Sequence, residues 1–137
     1  MNPTLSKGQY ELLAAFRYAL RRFLHFSETA AHAAGITPQH HQALLAIKGF
    51  PGRDWATVGE LAERLQIRHH SAVGLVDRLV VDKLVRRESS QGDHRQVFVR
   101  LTRRGEIVLE RLSELHQTQL QILGPELRRM LVRLGKL

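Results

Sequence analysis

The chain has 137 residues, 43% hydrophobic and 25% charged, the composition of one globular domain long enough to bury a core. It has no cysteine, which excludes disulfides, thiolate zinc sites and thiol-based oxidation sensing but leaves histidine and carboxylate metal sites open. No run approaches the roughly 18 unbroken apolar residues of a membrane span, the N-terminus lacks a secretory pattern, and 21 Lys and Arg against 13 Asp and Glu give a formal charge of +8, so a cytoplasmic protein with a polyanionic partner and no membrane is expected.

Ser6 and Gln9 have the spacing of a capping box, and Leu13, Phe16, Leu20, Phe23 and Leu24 then recur at helical spacing toward Gly35. This first helix is longer than a small domain needs for its own core, so part of its apolar stripe is expected to serve a partner subunit. Thr37 and Pro38 open a second helix, Leu44, Leu45 and Ile47 give it an apolar face, and Gly49 ends it before a loop over 50–54. Thr57 and Glu60 form another capping box, opening a short helix over 58–65 that breaks at 66–68. From Arg68 to about Asp82, Ala72, Leu75, Val76 and Leu79 make an inward stripe, while His70, Val73, Gly74 and Asp77 take the opposite face.

Two short strands follow over 84–88 and 96–101, joined by a polar loop over 89–95: a hairpin with a charged tip. Residues 84–104 hold six arginines against Glu88 and Asp93, a charge of +4 that fits either a polyanion-binding face or a solvated one. Thr102 caps a helix carrying Leu109, Leu112, Leu120 and Leu123. Gly124-Pro125 is read as its end, and Leu127, Met130, Leu131 and Leu134 as a separate last helix. There is no internal repeat, and no Ser-His-Asp, Cys-His or Gly-rich phosphate-loop signature of an enzyme.

A short helix, a tight turn, a second helix and a basic hairpin are the parts of a winged helix-turn-helix, whose second helix enters the DNA major groove. The residues sharpen the likeness. Glu60 to Leu65 as Glu-Leu-Ala-Glu-Arg-Leu, then Leu75-Val76-Asp77-Arg78-Leu79, Leu84-Val85, Asp93-His94-Arg95 and Val99-Arg100-Leu101-Thr102, resemble the MarR family of transcriptional regulators in order and spacing, as does Gly35-Ile36-Thr37-Pro38. The resemblance implies a mainly α fold with a small β-hairpin wing, the winged helix spanning about 36–102 and dimerisation helices about 5–34 and 103–137. It further implies a homodimer on double-stranded palindromic DNA, often a repressor, released by a small aromatic or phenolic effector.

By that resemblance, Arg95 at the wing tip reaches into the minor groove, where a guanidinium is drawn by the negative potential of a narrow A·T tract, and Asp93 orients the wing. Arg68, His69, His70, Ser71, Val73, Gly74 and Arg86 are candidate DNA contacts; Arg78 suits either a phosphate or an ion pair with Asp77, Asp82 or Asp93. The chain departs from the family at Arg68-His69-His70-Ser71, where many relatives have Ser-Pro-Ser/Thr, and at Val73 and Gly74, where polar readers are common. Lys83 stands where relatives have glycine, which requires a positive φ or another helix ending. Phe16, Phe23, Phe26 and Trp55 are candidates to line an effector cleft or to serve as core. Of the eight histidines, His25, His32, His40, His41 and His116 fall in the helices of that cleft. They lack a tight metal-ligand spacing, so neither a metal nor a cofactor is expected; a metal-responsive regulator and a winged helix that binds proteins or coats DNA without sequence preference are the alternatives.

Overall fold

A computed structural model describes residues 4–90 and 93–136, except for the side chains of Ser90 and residues 93–95. The elements run α1 (Lys7–Ala33), α2 (Pro38–Lys48), β1 (Trp55–Ala56), α3 (Val58–Leu65), α4 (His69–Val81), β2 (Val85–Ser90), β3 (Asp93–Leu101) and α5 (Arg103–Leu134). The fold is mainly helical, with a three-stranded antiparallel sheet in the order β1-β3-β2. Among the described residues no helix is long and apolar enough to cross a membrane.

The helix starts follow local chemistry. The Ser6 amide donates to Gln9 Oε1 at 2.7 Å and the Gln9 amide returns to Ser6 Oγ. The Thr37 hydroxyl accepts from the His40 amide with Pro38 next in the chain, and Gly49 caps the other end of α2. Thr57 and Glu60 exchange both bonds of a capping box at the start of α3.

Two expectations need correction, and one element goes beyond them. α5 is one helix, not two, although Pro125 lies within it. A proline removes one amide donor and costs about 3 kcal/mol or more inside a helix, and Gly124 beside it is a poor helix former, but Leu123, Leu127, Met130, Leu131 and Leu134 stay in phase across it. The wing strands reach Ser90 and start from Asp93, with a register irregularity between Ser89 and Ser90. Finally, a two-residue strand, β1, pairs Trp55 with Arg100 and Ala56 with Val99; two residues are too few to show a period.

Two compact units divide the chain. The unit of Ala31–Leu112 has an apolar core that includes Leu44, Ile47, Leu61, Leu75, Val76, Leu79, Leu84, Val85 and Val99. In the unit of Met1–Ala30 with Ser113–Leu137, Ala19, Ser27 and Leu123 are buried, and the His116 ring stands between Phe23 and Phe26, edge-on, with Nε2 2.8 Å from Ser27 Oγ. Tyr10, Tyr18, Leu24, Leu115, Ile122, Leu131 and Val132 in this unit are exposed.

The start of α5 is pressed against the end of the α4–β2 connection. The Thr102 amide donates to the Leu84 carbonyl, and a Cβ built on Gly105 would stand 2.1 Å from that same oxygen. Backbone cannot yield as a flexible side chain can. We therefore expect Gly105→Ala to destabilise the protein by at least about 2 kcal/mol in urea unfolding. Gly59→Ala, at a helical site with nothing within 4 Å, is expected to be neutral or to stabilise by up to about 1 kcal/mol. Equal effects of the two substitutions would contradict the packing described.

Candidate nucleic-acid interface

The turn between α3 and α4 is set by Gln66, which caps α3 in the left-handed region at φ 55, while the Ile67 amide bonds back to the Ala62 carbonyl. Arg68 is the N-cap of α4, with extended backbone and no side-chain cap. Ala72, Leu75, Val76 and Leu79 are completely buried, so the rotation of α4 is fixed. Its other side presents Arg68, His69, His70, Ser71, Val73, Asp77 and Arg78 to solvent. The first backbone amides of α4, with no cap to accept from them, share this end with Arg68 and two histidines, a combination suited to a phosphate.

Gly74 is half-buried, and a Cβ there would meet the Arg78 guanidinium at 3.4 Å. Arg78 therefore lies back along the helix over Gly74, one turn away, an i, i+4 relation that sequence patterning does not show. Among the described side chains Arg78 makes no ion pair, and Asp77 pairs instead with Arg87. Lys83 takes the positive φ of 60 that the missing glycine demands. Its carbonyl accepts from the Thr102 hydroxyl at 2.6 Å, and the Leu84 amide returns to the Leu79 carbonyl.

The basic run of the wing is largely neutralised within the protein. Arg86 Nε donates to Glu88 at 2.7 Å, Arg100 donates to the same carboxylate at 3.2 Å, and Arg100 also pairs with Asp54. The Arg86 hydrogen bond holds the Glu88 carboxyl below its usual pKa against the opposing effect of burial, with Arg100 assisting. Arg103 and Arg104 are exposed. The side chains of Asp93 and Arg95 lie outside the described residues.

Trp55 stacks on Phe98, with ring centroids 4.0 Å apart. The Arg53 guanidinium lies 3.9 Å from the Trp55 ring and 4.0 Å from that of Phe50, and it pairs with Glu60. Burial raises the Glu60 pKa, but Thr57 and Arg53 outweigh it and hold the group ionised. Sequence patterning shows Glu60 only as a capping residue; its pair with Arg53 and the stacking of distant Phe98 on Trp55 are tertiary contacts that the pattern does not carry. Phe16, Phe23 and Phe26 are half-buried in the other unit. Among the described residues no group of three or more His, Asp or Glu is placed to hold a metal.

A model of the MarR family matches residues 34–96. No curated protein sequence matches the chain. Solved structures share its fold. A MarR family protein from Bacillus stearothermophilus is 24% identical with a TM-score of 0.78, the match covering 98% of this chain and 97% of that one. AbsC, a MarR family transcriptional regulator from Streptomyces coelicolor, is 20% identical with a TM-score of 0.71, covering 97% and 84%. A MepR mutant from Staphylococcus aureus, bound to an oligodeoxyribonucleotide, is 21% identical with a TM-score of 0.68, covering 90% and 92%.

Beside the exposed face of α4, buried His40 of α2 stands 3.8 Å from Asp82 in a recess also lined by Asp77, Arg78 and Val81. Burial lowers the His40 pKa from its ordinary 6.5, Asp82 opposes this and Arg78 adds to it. The unfolded chain therefore takes up a proton that the folded one resists. Stability from this group is present above about pH 6.5 and is lost as pH falls from there toward the lowered folded value. Thermal melts from about pH 7.5 to 5 should show a steeper acid-side loss for the parent than for His40→Gln; parallel curves would remove His40 from the account.

Proposed function

We propose that this chain, whose residues 34–96 match a model of the MarR family and whose fold is shared by MarR family structures, is a transcriptional regulator, a repressor that binds a palindromic operator as a homodimer and is released by a small-molecule effector. The observation that carries the reading is the outward face of α4, where Arg68, His69, His70, Ser71, Val73 and Arg78 stand together around an uncapped helix start. Arg68 and the first-turn amides suit phosphate, His69 and His70 suit phosphates or purine edges, and Val73 suits a thymine methyl group. Arg95 is assigned to the minor groove and Asp93 to orienting the wing on the strength of the family motif alone.

Dimerisation is supported by the exposed apolar side chains of α1 and α5, among them Tyr18 at 63%, Ile122 at 69% and Leu131 at 56%, since isolated domains rarely leave so many large apolar groups in water. An aromatic or phenolic effector is proposed from the family. Phe26 lines an open recess of α1 with Tyr18, Arg21, Arg22, His25 and Thr29, whose rings and cations would suit an aromatic anion, whereas Trp55 is engaged by Phe98 and Arg53.

Retention of one selected duplex against excess competitor DNA in a mobility-shift assay tests the regulator reading, and loss of retention under competitor would favour a non-specific DNA coat. Arg68→Ala and Arg95→Ala should each weaken operator binding by about 1–3 kcal/mol and lower the salt slope by about one unit. Arg86→Ala should cost less, because Glu88 already neutralises that charge. Equal small losses for all three would favour a merely solvated basic face. Sedimentation at micromolar concentration should give a dimer; a stable monomer would sink the homodimer.

A further inference from the structure

Successive residues of β2 point to opposite sides of the sheet. Arg86 shares one side with Glu88, to which it is bonded. Arg87 shares the other with buried Val85, against α4, and there its guanidinium pairs with Asp77. Asp77 stands on the outward part of α4, next to Arg78 and one turn from Val73, and it is 58% exposed. A bare carboxylate at that place would repel a phosphate backbone a few ångströms away, and solvent screening within a Debye length of about 8–10 Å would not remove the effect.

We propose that Arg87 is a positioning residue for DNA binding: it does not contact the duplex but holds the Asp77 carboxylate neutralised beside the reading face and ties strand β2 to α4. The inference rests on the DNA-binding reading above. Exposed ion pairs contribute little to folding, so the expected consequence of this one lies in binding. Without Arg87, Asp77 becomes an unpaired anion among the residues that meet DNA, and like-charge juxtaposition is an effective way to suppress association.

The test is a double-mutant cycle read by fluorescence anisotropy on a palindromic duplex that the parent protein has selected from random-sequence DNA. Arg87→Ala is expected to weaken binding about tenfold. Asp77→Asn should bind at least as tightly as the parent, and Asp77→Asn combined with Arg87→Ala should return to within about threefold of it, with the parent's salt slope. Three results would overturn the proposal. If the double variant stays as weak as Arg87→Ala and its salt slope falls by about 0.9, Arg87 is itself a phosphate contact. If Asp77→Asn and Arg87→Ala weaken binding alike and lower the melting temperature alike, the pair is only structural. If the parent selects no duplex, the DNA-binding reading fails first and takes this inference with it.

Discussion

Ala72, Leu75, Val76 and Leu79 are withdrawn from water, and through that burial α4 acquires a direction. Successive helical residues are about 100° apart, so sealing one stripe fixes which residues face outward. Burial of each larger aliphatic side chain contributes about 1.5–3 kcal/mol, whereas an exposed ion pair contributes about 0.2–1 kcal/mol. The orientation of the α4 face proposed to read DNA is therefore decided by apolar packing. The charges around it adjust what that face presents, and they could not turn the helix if the stripe were wrong.

The same comparison explains what could be read from the sequence. The capping boxes at Ser6 and Thr57, the Thr37-Pro38 start, the Gly49 end and the buried stripe of α4 are relations between residues three or four apart, and all are legible in one dimension. Lys83 was legible as a conflict, which its positive φ resolves. What could not be read joins distant parts of the chain: Trp55 with Phe98, Arg100 with Asp54, and Asp77 with Arg87. Pro125 was misread for a different reason. Local propensity marks it as a stop, but the leucine stripe stays in phase on both sides and α5 continues.

Charge shows how composition overstates a binding surface. The +4 of residues 84–104 suggests a strongly cationic wing, yet Arg86, Arg87 and Arg100 each have a carboxylate partner. Much of that charge organises the wing. The cations of α4 left without an ion pair among the described side chains are Arg68 and Arg78, and one of them lies over a glycine that leaves it room. A histidine pair and a valine complete the face. Such a surface has few bidentate donors, so discrimination between bases would draw on apolar contact with thymine and on groove shape as well as on hydrogen bonds.

The two units differ in how far each satisfies itself. The unit of Ala31–Leu112 closes a core around Leu44, Ile47, Leu61, Leu75 and Leu79, so the helix-turn-helix does not depend on a partner to order its reading face. The other unit buries Ala19, Ser27 and Leu123 and leaves Tyr18, Leu24, Ile122 and Leu131 in water. In the proposed homodimer, the surface offered to a partner thus belongs to the unit that carries no part of α4. In a dimer made this way, the partner's role toward DNA is spacing: two independently folded heads must fall about one helical turn of duplex, roughly 34–36 Å, apart to read a palindrome together. Under that proposal operator affinity would have two separable physical sources, the chemistry of one α4 face and the geometry of the interface. A substitution on either source should leave the other measurable.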